Sequence, residues 1–216
     1  MKPSFAPSVL SFNHAELGGP VKELMQAGAD WIHCDIMDGQ FVPPITFGAE
    51  MVAHFKAYGS TPLEAHLMAK TPDRHFEAFI KAGCKRIIFH AEATAHAHRL
   101  AQTLHNEGVQ AGMAINPGTS AELIEPMLDF LDVVLVMTVN PGWGGQTFIP
   151  QCLEKVRNIR SLNDRIDIEV DGGIDTETIQ LAYAAGANVF VTGSFLAEAE
   201  SPARGLEALR KACDTK

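Results

Sequence analysis

Eight short apolar or β-branched runs recur along the chain, at residues 5–10, 31–36, 62–67, 86–90, 109–115, 133–137, 166–170 and 189–192. Stretches of helical period separate them: 16–27, 72–82, 95–107, 150–162, 176–185 and 202–212, with shorter ones at 50–57 and 121–128. Strands that are apolar on both faces must be covered on both, and a helix between consecutive strands does this when the strands run parallel. Punctuation agrees, with Thr71-Pro72 and Asp175-Thr176 at helix starts and Gly28, Gly83, Gly108 and Gly186 just past helix ends. The phrase Ala-Gly-Ala or Ala-Gly-Cys precedes a strand at 27–29, 82–84 and 185–187, marking equivalent corners. Eight units in 216 residues, about 27 residues each, make a compact α/β fold with few insertions: a single (β/α)₈ TIM barrel over 1–216. An open doubly wound sheet is the competing architecture, but the first βα turn, Ser11-Phe12-Asn13-His14, has no GxGxxG.

Bulk properties narrow the partners. A formal charge of -9 disfavours nucleic acid as a partner, because binding its backbone needs clustered Lys and Arg. No apolar stretch reaches the ~20 residues of a membrane span, and residues 1–7 lack the apolar core of a signal peptide. Cys34, Cys84, Cys152 and Cys213 form no CxxC pair, so free thiols and a cytoplasmic location are expected.

In a barrel the site lies at the C-terminal ends of the strands, where apolar runs turn polar. Here that gives Ser8, His33, Asp35, His66, His90, Asn116 and Asp171. His33 and Asp35 are two apart, so one strand face carries both, while Cys34 faces the helices. A lone strand-end His is ordinarily a hydrogen-bonded rim residue. Two imidazoles and two carboxylates at one rim favour a divalent ion instead, with Zn, Fe, Mn or Co all compatible. His90 and Glu92 either join this group or support it through hydrogen bonds.

Three glycine-rich segments follow strands six, seven and eight: Asn140-Pro141-Gly142-Trp143-Gly144-Gly145-Gln146-Thr147, Asp171-Gly172-Gly173-Ile174 and Thr192-Gly193-Ser194. Each alone is an ordinary tight turn; together on the C-terminal side they suit an anion, phosphate above all. Residues 140–150, 171–177 and 192–200 contain no Lys or Arg, so main-chain amides and Ser194 would have to hold it. Ser194 has no elbow motif around it to make it a nucleophile. A Schiff-base aldolase needs a strand-end Lys; none is present, and Lys70 lies beyond its strand.

Six segments, in order, resemble the ribulose-phosphate 3-epimerase family: Ala6-Pro7-Ser8-Val9-Leu10-Ser11, Trp31-Ile32-His33-Cys34-Asp35-Ile36-Met37-Asp38-Gly39, Phe41-Val42-Pro43, His66-Leu67-Met68, 139–146, and Glu169-Val170-Asp171-Gly172-Gly173-Ile174. The resemblance covers about residues 5 to 196 and implies a barrel of the ribulose-phosphate-binding type. It implies that His33, Asp35, His66 and Asp171 ligate one divalent metal ion, with Asp35 the proton acceptor and Asp171 the proton donor. It also implies substrate contacts at Ser8 and His66, a phosphate grip from Gly142, Trp143, Gly144, Gly145, Gly172, Gly173, Gly193 and Ser194, and methionines Met37, Met68 and Met137 beside the reacting carbons. As plain residues, these methionines read equally as core filler.

The implied reaction interconverts D-ribulose 5-phosphate and D-xylulose 5-phosphate by inversion at C3, a step of the pentose phosphate pathway. Such chemistry needs stabilisation of an enediolate and one proton-transfer group on each face of it. Trp143, Glu64, Cys34 and Ala69-Lys70 depart from the usual family pattern, and none of them removes a ligand or proton-transfer group. Two other functions fit the residues: an allulose-6-phosphate 3-epimerase, and a non-catalytic barrel that binds a sugar phosphate. A small-molecule sugar phosphate is the expected partner in each. A homo-oligomer is compatible with the sequence, which does not specify one.

Overall fold

The computed structural model describes residues 1–214, so the last two positions of the expected 1–216 barrel domain lie outside the described residues. Eight strands form one parallel sheet: β1 (Ser4–Pro7), β2 (Ile32–Met37), β3 (Leu63–Met68), β4 (Arg86–His90), β5 (Gln110–Ile115), β6 (Val133–Met137), β7 (Asp167–Asp171) and β8 (Val189–Thr192). Each pairs with its sequence neighbour from β2 round to β8, and β8 pairs with β1. Between β1 and β2 the sheet closes on itself through a Ser8–His33 bridge, where the Val9 amide donates to the His33 carbonyl at 3.1 Å. The helices are α1 (Gly18–Gln26), α2 (Ala49–His54), α3 (Phe76–Ala82), α4 (Ala97–Asn106), α5 (Leu153–Leu162), α6 (Thr178–Ala185), α7 (Ser194–Glu198) and α8 (Pro202–Asp214). None among the described residues is long and apolar enough to cross a membrane.

The expected architecture is the observed one, and three strand runs, 86–90, 133–137 and 189–192, coincide with it to the residue. Gly83 and Gly186 close α3 and α6 in the left-handed conformation (φ 98° and 110°), as the repeated corner phrase requires. One expected helix is absent. Residues 121–128 form two 3₁₀ turns, Ala121–Leu123 and Glu125–Phe130, because an α-helix through them would carry Pro126 in its interior, without an amide hydrogen and against the carbonyl of Glu122. The short α7 was not expected; it follows directly from β8 and starts at Ser194.

Alternation divides the side chains of each strand. Cys34, Ile36, Ala65, Leu67, Ile87, Phe89, Val134 and Val136 point outward and pack with Leu24, Phe79, Leu104 and Val156 of the helices in one continuous core. The opposite set fills the barrel: Ile88, Ala114, Val133, Leu135 and Met137 on one side, charged groups on the other. Gly112 of β5 lies in this interior, where an added Cβ would come within 2.6 Å of Ile88 Cγ1 and 2.8 Å of Val133 Cγ1. Gly112→Ala is therefore expected to cost about 1–3 kcal/mol through overpacking. Urea denaturation measures it, and an unchanged midpoint would mean that the interior can yield at this point.

Candidate active site

Strand register sets the site. The β2–β3 pairing places His33 opposite Glu64, Asp35 opposite His66 and Met37 opposite Met68, and β6–β7 places Met137 opposite Asp171. The interior thus carries stacked rows, with methionines uppermost, Asp35 and His66 next, and His33 and Glu64 beneath. His33 Nε2 lies 3.3 Å from Asp35 Oδ1, and His66 Nδ1 lies 3.2 Å from Asp35 Oδ1 and 3.6 Å from Asp171 Oδ2. One ligand atom from each of His33, Asp35, His66 and Asp171 falls within 4.8 Å of all the others. All four residues expected to meet are brought together.

This set could hold a metal ion. His33 Nε2 is buried and has no hydrogen-bond partner, although a buried imidazole nitrogen ordinarily has one. Two imidazoles and two carboxylates are the donor set of a borderline divalent cation. The remaining ring nitrogens are engaged from outside the group, as metal-ligating histidines require. His33 Nδ1 lies 2.9 Å from Glu64 Oε1. His66 Nε2 meets His90 Nε2 at 2.8 Å, and His90 Nδ1 meets Glu92 Oε2 at 3.2 Å. Of the two roles open to His90 and Glu92, the geometry gives them the supporting one.

Glu92 is held in turn by the Asn116 amide (2.8 Å) and by the Thr119 hydroxyl, both donating to Oε1. Burial would raise its carboxyl, but the hydrogen bonds from His90, Thr119 and Asn116 outweigh that and bring it down to about 2. A carboxyl depressed by folding stabilises the native state above its unfolded value near 4.3 and loses that contribution as pH falls toward 2. Glu92→Gln is expected to destabilise the protein at pH 7 by about 1 kcal/mol, a figure discounted for partial exposure. Urea midpoints of the two proteins should converge as pH drops from about 5 toward 2. A pH-independent gap would contradict the hydrogen-bond origin of the shift.

The two aspartates differ electrostatically. Burial would raise Asp35, yet His33 and His66 overcome it and hold the carboxyl well below the ordinary range. Ser8 Oγ also donates to Asp35 Oδ2, at 2.5 Å. Asp171 is pushed well above the ordinary range by burial and by the charge of Asp35. Neighbouring carboxylates with opposite displacements could serve chemically as a proton acceptor and a proton donor.

Above the cluster opens a cleft. Its lining includes Ser8, Asp35, Asp171, the three methionines Met37, Met68 and Met137, and the glycine segments with Gly142, Trp143, Gly144, Gly145, Gly172, Gly173, Gly193 and Ser194. His33 and His66 are fully buried beneath it and contribute none of its surface. Lys70 is exposed and outside the lining, where its amide donates to Asp38 Oδ2 at 2.9 Å. Among the described residues no Lys or Arg lines the cleft, so an anion there meets main-chain amides and hydroxyls. Gly173 is at φ 66°, and an added Cβ would lie 2.7 Å from the Phe148 amide nitrogen. Only glycine satisfies both conditions. The Gly-rich loop is braced by Gln146, whose Nε2 donates to the carbonyls of Asn140 (2.6 Å) and Trp143 (2.8 Å).

Sequence reading does not single out Arg86 and Glu169 as site residues, and Glu64 enters it only as a departure. All three are buried in the interior beside His33. A signal exists: Glu64 and Glu169 stand two residues before His66 and Asp171, hence on the same strand face, and Arg86 opens β4 opposite Glu64.

Comparison with known proteins agrees with this geometry. The family model described as "Ribulose-phosphate 3 epimerase family" matches residues 4–197. The ribulose-phosphate 3-epimerase of Bacillus subtilis is 46% identical over 194 residues, covering 88% of this chain and 89% of that protein. The enzyme named "Ribulose-phosphate 3-epimerase, cytoplasmic isoform" from Oryza sativa subsp. japonica is 40% identical over 213 residues, covering 97% and 93%. Among solved structures, 3-keto-L-gulonate-6-phosphate decarboxylase from Vibrio cholerae superposes with a TM-score of 0.75 at 18% identity, covering 99% of this chain and 98% of that one, a likeness of fold.

Proposed function

This chain belongs to the ribulose-phosphate 3-epimerase family, and on that premise we propose that it interconverts D-ribulose 5-phosphate and D-xylulose 5-phosphate at the cleft above Asp35 and Asp171. Membership makes it an isomerase. The observation that carries the mechanism is geometric: two carboxyls from different strands, Asp35 of β2 and Asp171 of β7, face one cleft. An ionised Asp35 takes the C3 proton of ribulose 5-phosphate, and a protonated Asp171 returns one to the other face, which inverts the centre. In the reverse direction the roles exchange.

His33, Asp35, His66 and Asp171 would hold one divalent ion, Zn, Fe, Mn or Co. When bound, it supplies Lewis-acid stabilisation of the charge that develops on the C2 and C3 oxygens. Ser8, donating to Asp35 Oδ2, aims that carboxylate and keeps its other oxygen toward the cluster. His66 acts from beneath the cleft surface as a ligand, with Met37, Met68 and Met137 walling the reacting carbons away from water. The phosphate would sit on the amides of Gly142, Trp143, Gly144, Gly145, Gly172, Gly173 and Gly193 and on Ser194 Oγ. A sugar-phosphate ligand accords with the name of the decarboxylase that shares the fold, whose substrate is itself a sugar-acid phosphate. The pentose phosphate pathway and a cytoplasmic location complete the reading, supported by four free, buried cysteines and by the name of the rice relative. The whole chain, 1–216, is taken as one barrel domain.

The test is incubation of the metal-reconstituted protein with ribulose 5-phosphate in D₂O. One deuterium at C3 and conversion to xylulose 5-phosphate are expected, faster than turnover of allulose 6-phosphate under the same conditions. Preference for allulose 6-phosphate would reassign the substrate. Tight binding of a sugar phosphate without any C3 exchange would reduce the chain to a binding protein.

A further inference from the structure

Below the four-group cluster lies a second set with the composition of a metal site. His33, Glu64 and Glu169 each offer a ligand atom within 4.8 Å of the others, and all three are fully buried. This lower set already contains a cation. Arg86 Nη1 lies 3.0 Å from Glu64 Oε2 and 3.6 Å from Glu169 Oε2, and Nη2 lies 3.3 Å from Asp167 Oδ2. Its Nε donates to Gln110 Oε1 at 2.9 Å, and the guanidinium plane rests over the Trp31 ring at 4.0 Å. A guanidinium engaged at all three nitrogens and on one face is held in place, and it does not give up its proton.

That permanence constrains its neighbours. Glu64 uses Oε2 to accept from Arg86 and Oε1 to meet His33 Nδ1 at 2.9 Å; Glu169 Oε1 lies 3.2 Å from the same nitrogen without forming a hydrogen bond. An ionised carboxylate only accepts, so His33 Nδ1 must carry the hydrogen. In a neutral imidazole the lone pair is then on Nε2, the nitrogen left without a partner beside Asp35 Oδ1. We propose that Arg86 is a positioning residue: an internal cation that occupies the lower cluster in place of a second metal ion and, through Glu64, keeps the His33 hydrogen on Nδ1 so that Nε2 can ligate the ion above. The inference rests on the proposed ion site, and it assigns a role to residues outside the ligand set.

The test compares the protein with Glu64→Gln, Arg86→Met and Arg86→Lys. Metal-free samples are titrated with Co²⁺ by visible absorption, and the His33 Nδ1-bound proton is followed in ¹H–¹⁵N imidazole spectra. The unaltered protein should take up one Co²⁺ and show that proton. In Glu64→Gln the carboxamide must turn its oxygen to Arg86, which only donates, and so presents NH₂ to His33 Nδ1. The hydrogen then moves to Nε2, the Nδ1 signal disappears, and Co²⁺ affinity falls by about 10–100-fold. Arg86→Met should weaken Co²⁺ binding over the same range, and Arg86→Lys should recover part of the loss. Wild-type Co²⁺ affinity and an unchanged Nδ1 proton in Glu64→Gln would overturn the proposal, as would two Co²⁺ bound per unaltered chain. Glu64→Gln preserves volume, so it decides the matter even where Arg86→Met does not fold. Should the unaltered protein bind no Co²⁺, the ion site itself fails, while the Nδ1 proton in the two metal-free proteins still decides whether Glu64 sets the tautomer.

Discussion

Asp35→Asn should lower epimerisation of ribulose 5-phosphate by about 10²–10⁴-fold, the range expected when a positioned proton-transfer group is removed. Asparagine preserves shape, so Ser8 still has a neighbour at the same place, but the amide neither accepts the C3 proton nor attracts a cation as the carboxylate does. The informative readout is deuterium exchange at C3, taken separately from each sugar. With Asp35 replaced, exchange from ribulose 5-phosphate should disappear with the epimerisation. With Asp171→Asn, Asp35 can still remove the proton and return a deuteron to the same face. Exchange into ribulose 5-phosphate should then outlast formation of xylulose 5-phosphate. That split follows from placing the two carboxylates on different strands, β2 and β7, around one cleft. Undiminished exchange from both sugars in both variants would remove Asp35 and Asp171 from the mechanism.

The second large effect is expected on removal of the ion. Several kcal/mol of charge stabilisation, at 1.36 kcal/mol per decade, corresponds to a loss of about 10³-fold or more in turnover after chelation. Adding back Zn²⁺, Fe²⁺, Mn²⁺ or Co²⁺ should restore it to different extents, because nitrogen and oxygen donors admit each of them. Thermal unfolding gives an independent reading, since an ion that binds only the folded cluster raises the midpoint. Here the four proposed ligands come from β2, β3 and β7, which meet only when the barrel has closed. Full activity in protein shown by elemental analysis to carry no metal would contradict the ligand assignment.

How far these features were legible in the chain depends on whether local rules control them. Strand 133–137 is a continuous apolar run between Asp132 and Thr138, and 189–192 is a mostly β-branched run between Gly186 and Gly193, so their ends are marked locally, while a period of two decides which side chains share a face. His33 and Asp35 could be placed on one face for the same reason. The helix expected at 121–128 is absent because Pro126, whose missing amide hydrogen and ring clash act locally, outweighs the apolar spacing and favours 3₁₀ turns. The placement of His66 beneath the cleft, with no surface toward it, depends on how far β3 is shifted against its neighbours, which the periodicity of one strand does not report.

The sequence by itself determined the repeating βα architecture, the rim on which chemistry would gather, and the residue types that meet there. These follow from the period-two alternation of strands and the punctuation of helices, both of which act over a few residues. Closure of the barrel decided the rest. It brought Arg86 of β4 against Glu64 of β3 and Glu169 of β7, put both beside His33 of β2, and left His33 Nε2 unpartnered under the cleft. Those contacts join residues as far apart in the chain as His33 and Glu169, and their energies depend on a low dielectric that exists only once the interior is sealed. The chain named Asp35 and Asp171 as two carboxylates on a rim, whereas burial and the imidazoles around them drive one down and the other up.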